Sequence, residues 1–143
     1  TMRTRLFTTV AALALAAPLA SAQQTSLEAG RVEYLSACAG CHGSGGRGDG
    51  PLADLMKIET PDLTRLTARA GGEFPWGDAI ALIDGRSLVR AHGTDMPVWG
   101  DRYTLQAQQE GRSLPGPHAS GAPELIVRGR ILSLVYYLET LQE

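Results

Sequence analysis

The sequence predicts an all-α domain, and three observations carry that prediction. Apolar residues recur at three- to four-residue spacing in a segment beginning near residue 26 and in another beginning near residue 124. No stretch alternates apolar and polar residues as a half-buried strand would. Between the two periodic segments, glycine and proline interrupt the chain often enough to leave room only for short helices and loops.

The first 22 residues stand apart. Arg3 and Arg5 make a short positive region, Leu6 to Ala20 is apolar, and Ala20-Ser21-Ala22 offers small residues for cleavage. This reads as a secretory signal peptide over residues 1–22, with Gln23 opening a mature domain over 23–143. A retained membrane anchor is the alternative. The apolar run is shorter than the roughly 20 residues that span a bilayer, and Pro18 interrupts its end.

Thr25-Ser26-Leu27-Glu28 reads as a capping box, which predicts a helix from about Ser26 to Ala37. Leu27, Tyr34, Leu35 and Cys38 keep helical spacing, so one face points at a core and carries the chain into a cysteine motif. Gly30 lies one turn before Tyr34 and suggests a close helix crossing, since glycine inside a helix costs about 1 kcal/mol relative to alanine. The motif is Cys38-Ala39-Gly40-Cys41-His42. Cys-x-x-Cys-His is the attachment pattern of c-type haem. Two thiols one helical turn apart reach the porphyrin edge, and the adjacent imidazole reaches the iron. A thioredoxin-like redox pair, half of a zinc site and a plain disulfide are the alternatives. The first lacks a βαβ setting, and the second lacks two more ligands at close spacing.

Gly43-Ser44-Gly45-Gly46-Arg47-Gly48-Asp49-Gly50-Pro51 lacks the Gly-Lys-Ser/Thr ending of a phosphate-binding loop. It reads as an irregular loop wrapping the haem edge, and its carbonyls are candidates to accept the Nδ1 proton of His42. Leu52 to Lys57 looks like a helical turn containing Met56. Short helices are expected from Pro61 to just before Gly71, and from Asp78 to Ile83 or Asp84, stopping at Gly85. Trp76 precedes the second and is expected at the core or the haem edge, its indole N–H within reach of a propionate as the lesser alternative.

Met96 lies in His92-Gly93-Thr94-Asp95-Met96-Pro97-Val98-Trp99-Gly100, bounded by glycine and proline, where a thioether can be aimed at a metal without fitting a helix face. It is the candidate second axial ligand, with His92 and then Met56 as rivals. Asp101 to Ala122 is polar and reads as a surface excursion, with one helical turn from Gln106 to Gly111 and a solvated His118. The last helix is expected from about Glu124 to Leu141, with Pro123 at its start and Val127, Ile131, Leu134, Leu138 and Leu141 along one stripe. One of Tyr136 and Tyr137 should meet the first helix near Gly30.

Without Arg3 and Arg5 the 13 basic residues fall to 11 against 15 acidic, a formal charge of −4 before any haem propionates. That balance argues against nucleic acid and anionic membrane surfaces, and favours a partner with a basic docking patch. Aromatic residues are 6% of the chain, so its own core is small, and a buried porphyrin supplies apolar surface that the chain lacks.

With its attachment site early, a methionine loop late and a closing amphipathic helix, the chain resembles the class I, monohaem, c-type cytochromes of bacterial periplasms, over about Thr25 to Leu141. Gly48-Asp49-Gly50-Pro51 looks like their post-haem loop, and Met96-Pro97-Val98-Trp99-Gly100 like their ligand loop. The order of motifs excludes the four-helix c′ type, which carries its attachment motif near the other end. The resemblance implies the cytochrome c fold, with N- and C-terminal helices packed across one haem c bound through Cys38 and Cys41. It implies His42 and Met96 on the iron, a Pro51 carbonyl on His42 Nδ1, and Gly30 and Tyr34 meeting Leu134 and Tyr137. Trp76 and Trp99 complete the candidate cofactor-binding set. Asp101 to Ala122 is longer than the usual link, and Lys57 is the sole lysine, so the lysine ring of mitochondrial-type carriers is missing.

The expected function is one-electron transfer between a redox-protein donor and acceptor in the periplasm, without bond chemistry on a substrate. A haem subunit of a periplasmic dehydrogenase or oxidase, docked on a membrane complex, is one alternative. Others are a gas-binding or peroxidase-like protein with an open iron, and a docking module using the 101–122 excursion.

Overall fold

A computed structural model describes residues 23–86, 96–111 and 122–143. The expected signal peptide, His92 and His118 lie outside the described residues. Helix α1 covers residues 23–37 and runs through one turn into α2, Ala39–His42. Short 3₁₀ turns follow at Ala53–Leu55 and Leu63–Arg65, the second continuing into α3, Leu66–Arg69. Then come α4, Trp76–Asp84, α5, Trp99–Gly111, and α6, Ala122–Thr140. No strand occurs among the described residues, so the all-α expectation stands.

The core is built on α6. Val127, Ile131, Leu134 and Leu138 of the expected stripe are buried, with Val135 beside them, whereas Leu141 lies just past the end of α6 and is half-buried. Each of the buried side chains contributes about 1.5–3 kcal/mol relative to exposure. Helix α1 crosses α6 at Gly30, where an added Cβ would lie 2.5 Å from the Ser133 carbonyl carbon, so only glycine permits the approach. One turn on, Tyr34 is fully buried and its ring meets that of Tyr137 at 5.3 Å. Helix α4 adds Ala79 and Ile83 to the core, and Gly85, left-handed at φ 63°, ends it where the sequence indicated.

Two expectations are corrected. The capping box does not start α1, because the helix already includes residue 23 and Thr25 sits within it. Gln23 and Gln24 have ample helix propensity, so no side-chain cap is needed at Thr25. Leu35 is 40% exposed, because the buried face runs Gly30, Tyr34, Cys38 at steps of four and Leu35 falls off it.

The larger correction concerns Asp101 to Ala122. Its first half is the body of α5, packed on α6 and α4, rather than a surface excursion with one helical turn. Trp99, Tyr103 and Ala107 stand four residues apart, and Tyr103 and Ala107 are buried. Only these three positions carry the apolar face, so the polar composition of the remainder hid a helical period. No described helix is long and apolar enough to cross a membrane.

Candidate functional site

The attachment residues sit where α1 hands over to α2. The Cys38 N–H donates to the Tyr34 carbonyl at 2.8 Å, and the Cys41 and His42 N–H groups donate to the Cys38 carbonyl at 3.1 and 3.0 Å. One tight turn therefore presents both thiols and the imidazole from a helix already anchored by Tyr34. The Tyr34 hydroxyl extends that anchor by donating to the Gly43 carbonyl at 2.6 Å.

The glycine loop then folds back to satisfy the end of α2. Gly48 N–H donates to the His42 carbonyl at 2.9 Å, Gly50 N–H to Cys41 at 3.0 Å and Leu52 N–H to Gly40 at 2.8 Å. An added Cβ at Gly50 would lie 2.5 Å from the Gly40 oxygen and 2.6 Å from the Ala39 oxygen, so backbone packs there on backbone.

His42 is buried, and its Nδ1 lies 3.1 Å from the carbonyl oxygen of Pro61. With the proton on Nδ1 donated to that oxygen, Nε2 carries the free lone pair that a metal needs. Burial lowers the His42 pKa from its ordinary value, and the Pro61 bond partly opposes that shift. The Pro51 carbonyl expected in this role is replaced by that of Pro61. Pro51 is exposed, and the N–H groups on either side of it are spent on α2 carbonyls. Residues 60–61 reach the imidazole instead, packed against Gly48.

The segment that follows Pro61 is held in turn by the residues just after α6. Gln142 donates through Nε2 to the Leu63 carbonyl at 2.9 Å and the Leu138 carbonyl at 2.8 Å, while its Oε1 accepts from Thr67 N–H at 2.9 Å. Glu143 N–H donates to the Thr64 carbonyl at 3.0 Å, and the Glu143 carboxylate pairs with Arg47. Leu63 N–H donates to the Gly46 carbonyl at 2.6 Å, tying this turn to the glycine loop. A carbonyl acceptor leaves no side-chain signature, so neither Pro61 nor Gln142 is legible in the sequence.

Cys38, His42 and Met96 line one cavity, together with Leu66, Leu82, Leu134, Asp78 and other, mostly apolar, residues. Burial, with Glu33 and Cys41 adding to it, pushes the Cys38 thiol up to about 12. A redox-active cysteine needs the opposite shift, so this thiol does not suit thioredoxin-like exchange. Among the described residues, no three His, Cys, Asp or Glu side chains converge as a metal cluster. The donors that do share the cavity, an imidazole and a thioether beside a thiol in apolar surroundings, fit a covalently held haem.

The tryptophans stand elsewhere. Trp76 turns its indole N–H to Glu139 at 3.1 Å and sets its ring edgewise on Phe74 and Tyr136 at 5.5 and 4.7 Å. It staples α4 to α6, while its neighbours Pro75, Asp78 and Ala79 line the cavity. Trp99 opens α5, its ring tilted at 34° against that of Tyr103 with centroids 5.8 Å apart, and the Arg102 guanidinium lies 5.1 Å from its ring. Both are half-buried packing residues rather than cavity walls. Met56 follows the first 3₁₀ turn, outside the cavity lining.

Comparison with known proteins gives one finding. The sequence pattern described as Cytochrome c matches residues 27–112, from α1 through α5. No curated protein and no solved structure matches the chain. With well over half its length matched, its attachment motif on one anchored turn and haem c bound covalently through Cys38 and Cys41, the chain belongs to the cytochrome c family, whose work is haem-based electron transfer.

Proposed function

We propose that this chain is a one-electron carrier of a periplasmic or respiratory redox chain, with His42 Nε2 and Met96 Sδ as the two axial ligands of its haem iron. The observation that carries the reading is that His42 and Met96 line the same cavity as Cys38. The haem supplies the redox couple. Pro61 fixes the imidazole tautomer and raises its basicity. Leu66, Leu82 and Leu134 keep water from the metal's surroundings, which with thioether ligation favours a high potential. With His42 and Met96 both holding the iron, its surroundings would change little between the two oxidation states, which would keep reorganisation small. Residues 1–22 act as the export signal and 23–143 as the domain, with redox proteins as donor and acceptor.

Optical spectra of oxidised and reduced holoprotein, wild type and Met96→Ala, test this. The expected wild type is low-spin with a far-red thioether-to-iron charge-transfer band, and Met96→Ala loses that band and takes up carbon monoxide when reduced. A wild type that is high-spin and binds carbon monoxide at once overturns the reading in favour of catalysis or gas binding.

A further inference from the structure

The segment that carries Met96 leaves α4 and returns at α5, and the two ends meet. A Cβ on Gly85 would lie 3.2 Å from Val98 Cγ1. One on Gly100 would lie 2.6 Å from both the Asp84 carbonyl oxygen and Arg86 Nε. The end of α4 and the start of α5 are thus in backbone contact, three residues beyond Met96.

One side chain holds that junction. Arg86 donates from Nε to Asp84 Oδ1 at 2.5 Å and from Nη2 to Asp84 Oδ2 at 2.9 Å. It also donates from Nη1 to Glu124 Oε2 at 2.9 Å and from Nη2 to Glu124 Oε1 at 3.2 Å, reaching the first turn of α6. Thr104 Oγ1, which donates to the Gly100 carbonyl at 2.7 Å, lies 3.4 Å from Nη1 and brings α5 into the cluster. The Arg86 side chain is 26% exposed and that of Asp84 23%, so the pair is only partly screened by solvent. A planar guanidinium can fork to two carboxylates at once, which an ammonium cannot. Without it, Asp84 and Glu124 are like charges at the junction.

We propose that Arg86 is the positioning residue for Met96: it clasps the ends of the segment that presents the methionine and thereby sets how readily an outside ligand displaces the thioether. This rests on the His42/Met96 reading. A competitor for the methionine's place binds with an apparent affinity proportional to the fraction of molecules in which that place is free. Loosening the clasp raises that fraction.

The test is imidazole binding to ferric holoprotein at neutral pH, well below the melting temperature, for wild type and four variants. Arg86→Gln should bind imidazole about tenfold more tightly, the scale of losing charge-assisted hydrogen bonds at one hub. Arg86→Lys should be intermediate, keeping the charge and losing the fork. Arg128→Gln should match wild type, since Arg128 touches Glu124 from a side chain that is 75% exposed. If Arg86→Gln fails to fold, Glu124→Gln decides, because it leaves the Arg86–Asp84 pair in place and should tighten imidazole severalfold. A folded Arg86→Gln, or in its stead Glu124→Gln, with wild-type imidazole affinity overturns the proposal. Failure of the ligation reading looks different: the wild type itself then lacks the thioether band.

Discussion

The His42 side and the Met96 side of the cavity are held by different physics. On the His42 side, restraint is mostly neutral and mostly backbone, with a single exposed ion pair, Arg47–Glu143, at its rim: glycine-loop N–H groups on α2 carbonyls, Pro61 on Nδ1, and the Gln142 amide on Leu63 and Thr67. On the Met96 side, it is a cluster of charges joining α4, α5 and α6 through Arg86. Neutral bonds among packed backbone are scarcely touched by ionic strength, whereas partly exposed ion pairs weaken as salt rises. On the proposed ligation by His42 and Met96, one ligand is built in and the other is kept by an adjustable hold. A carrier gains from this asymmetry, since the imidazole arrives with the attachment motif while the thioether must be brought from far along the chain.

The largest effect is expected from a substitution on the backbone side. Gly50→Ala forces a methyl group between carbonyls and should cost about 3 kcal/mol or more, read as a lower urea midpoint and a lower yield of holoprotein. A midpoint near wild type would mean that the glycine loop does not govern the His42 side. Next comes Gln142→Ala, which leaves Leu63 and Thr67 without their side-chain partner. The expected loss is about 1–3 kcal/mol, and it should be the same at low and high salt. Salt-dependent destabilisation there would erase the distinction between the two sides.

The smallest expected effect is a pH signature on the charged side. The Arg86 guanidinium, with Arg128 beside it, holds the Glu124 carboxyl at about 2 against an ordinary 4.5. A folded value below the unfolded one stabilises above pH 4.5 and loses that stabilisation as pH falls toward 2. Urea midpoints measured over that window should fall less steeply in Glu124→Gln than in wild type. Parallel curves would remove Glu124 from the clasp.

The parts of this fold that could be read from the sequence are those whose signal is local. Cys38-Ala39-Gly40-Cys41-His42 and the α6 stripe each declare themselves within a few turns of chain, and Gly85 marks the end of α4. Gly30 is also legible, because a glycine on a buried helix face asks for a close neighbour, and Ser133 is that neighbour. Helix α5 escapes a sequence reading because three apolar positions among polar ones look like an excursion until α6 is there to cover them. The family resemblance gives the Nδ1 role to Pro51, while Pro61 holds it through a long-range register that no residue type announces. Arg86, Asp84 and Glu124 are invisible for the same reason: their meeting depends on three helices converging.

The Gln142 pins have a consequence for the order of events during synthesis. A chain made or threaded from its first residue presents Cys38 and Cys41 long before Leu134, Leu138 and Gln142 exist. Those late residues supply a wall of the cavity and fix the turn under His42. Until they are made, the thiols lack that wall. The pocket around the thiols is therefore complete only once the last helix is in place.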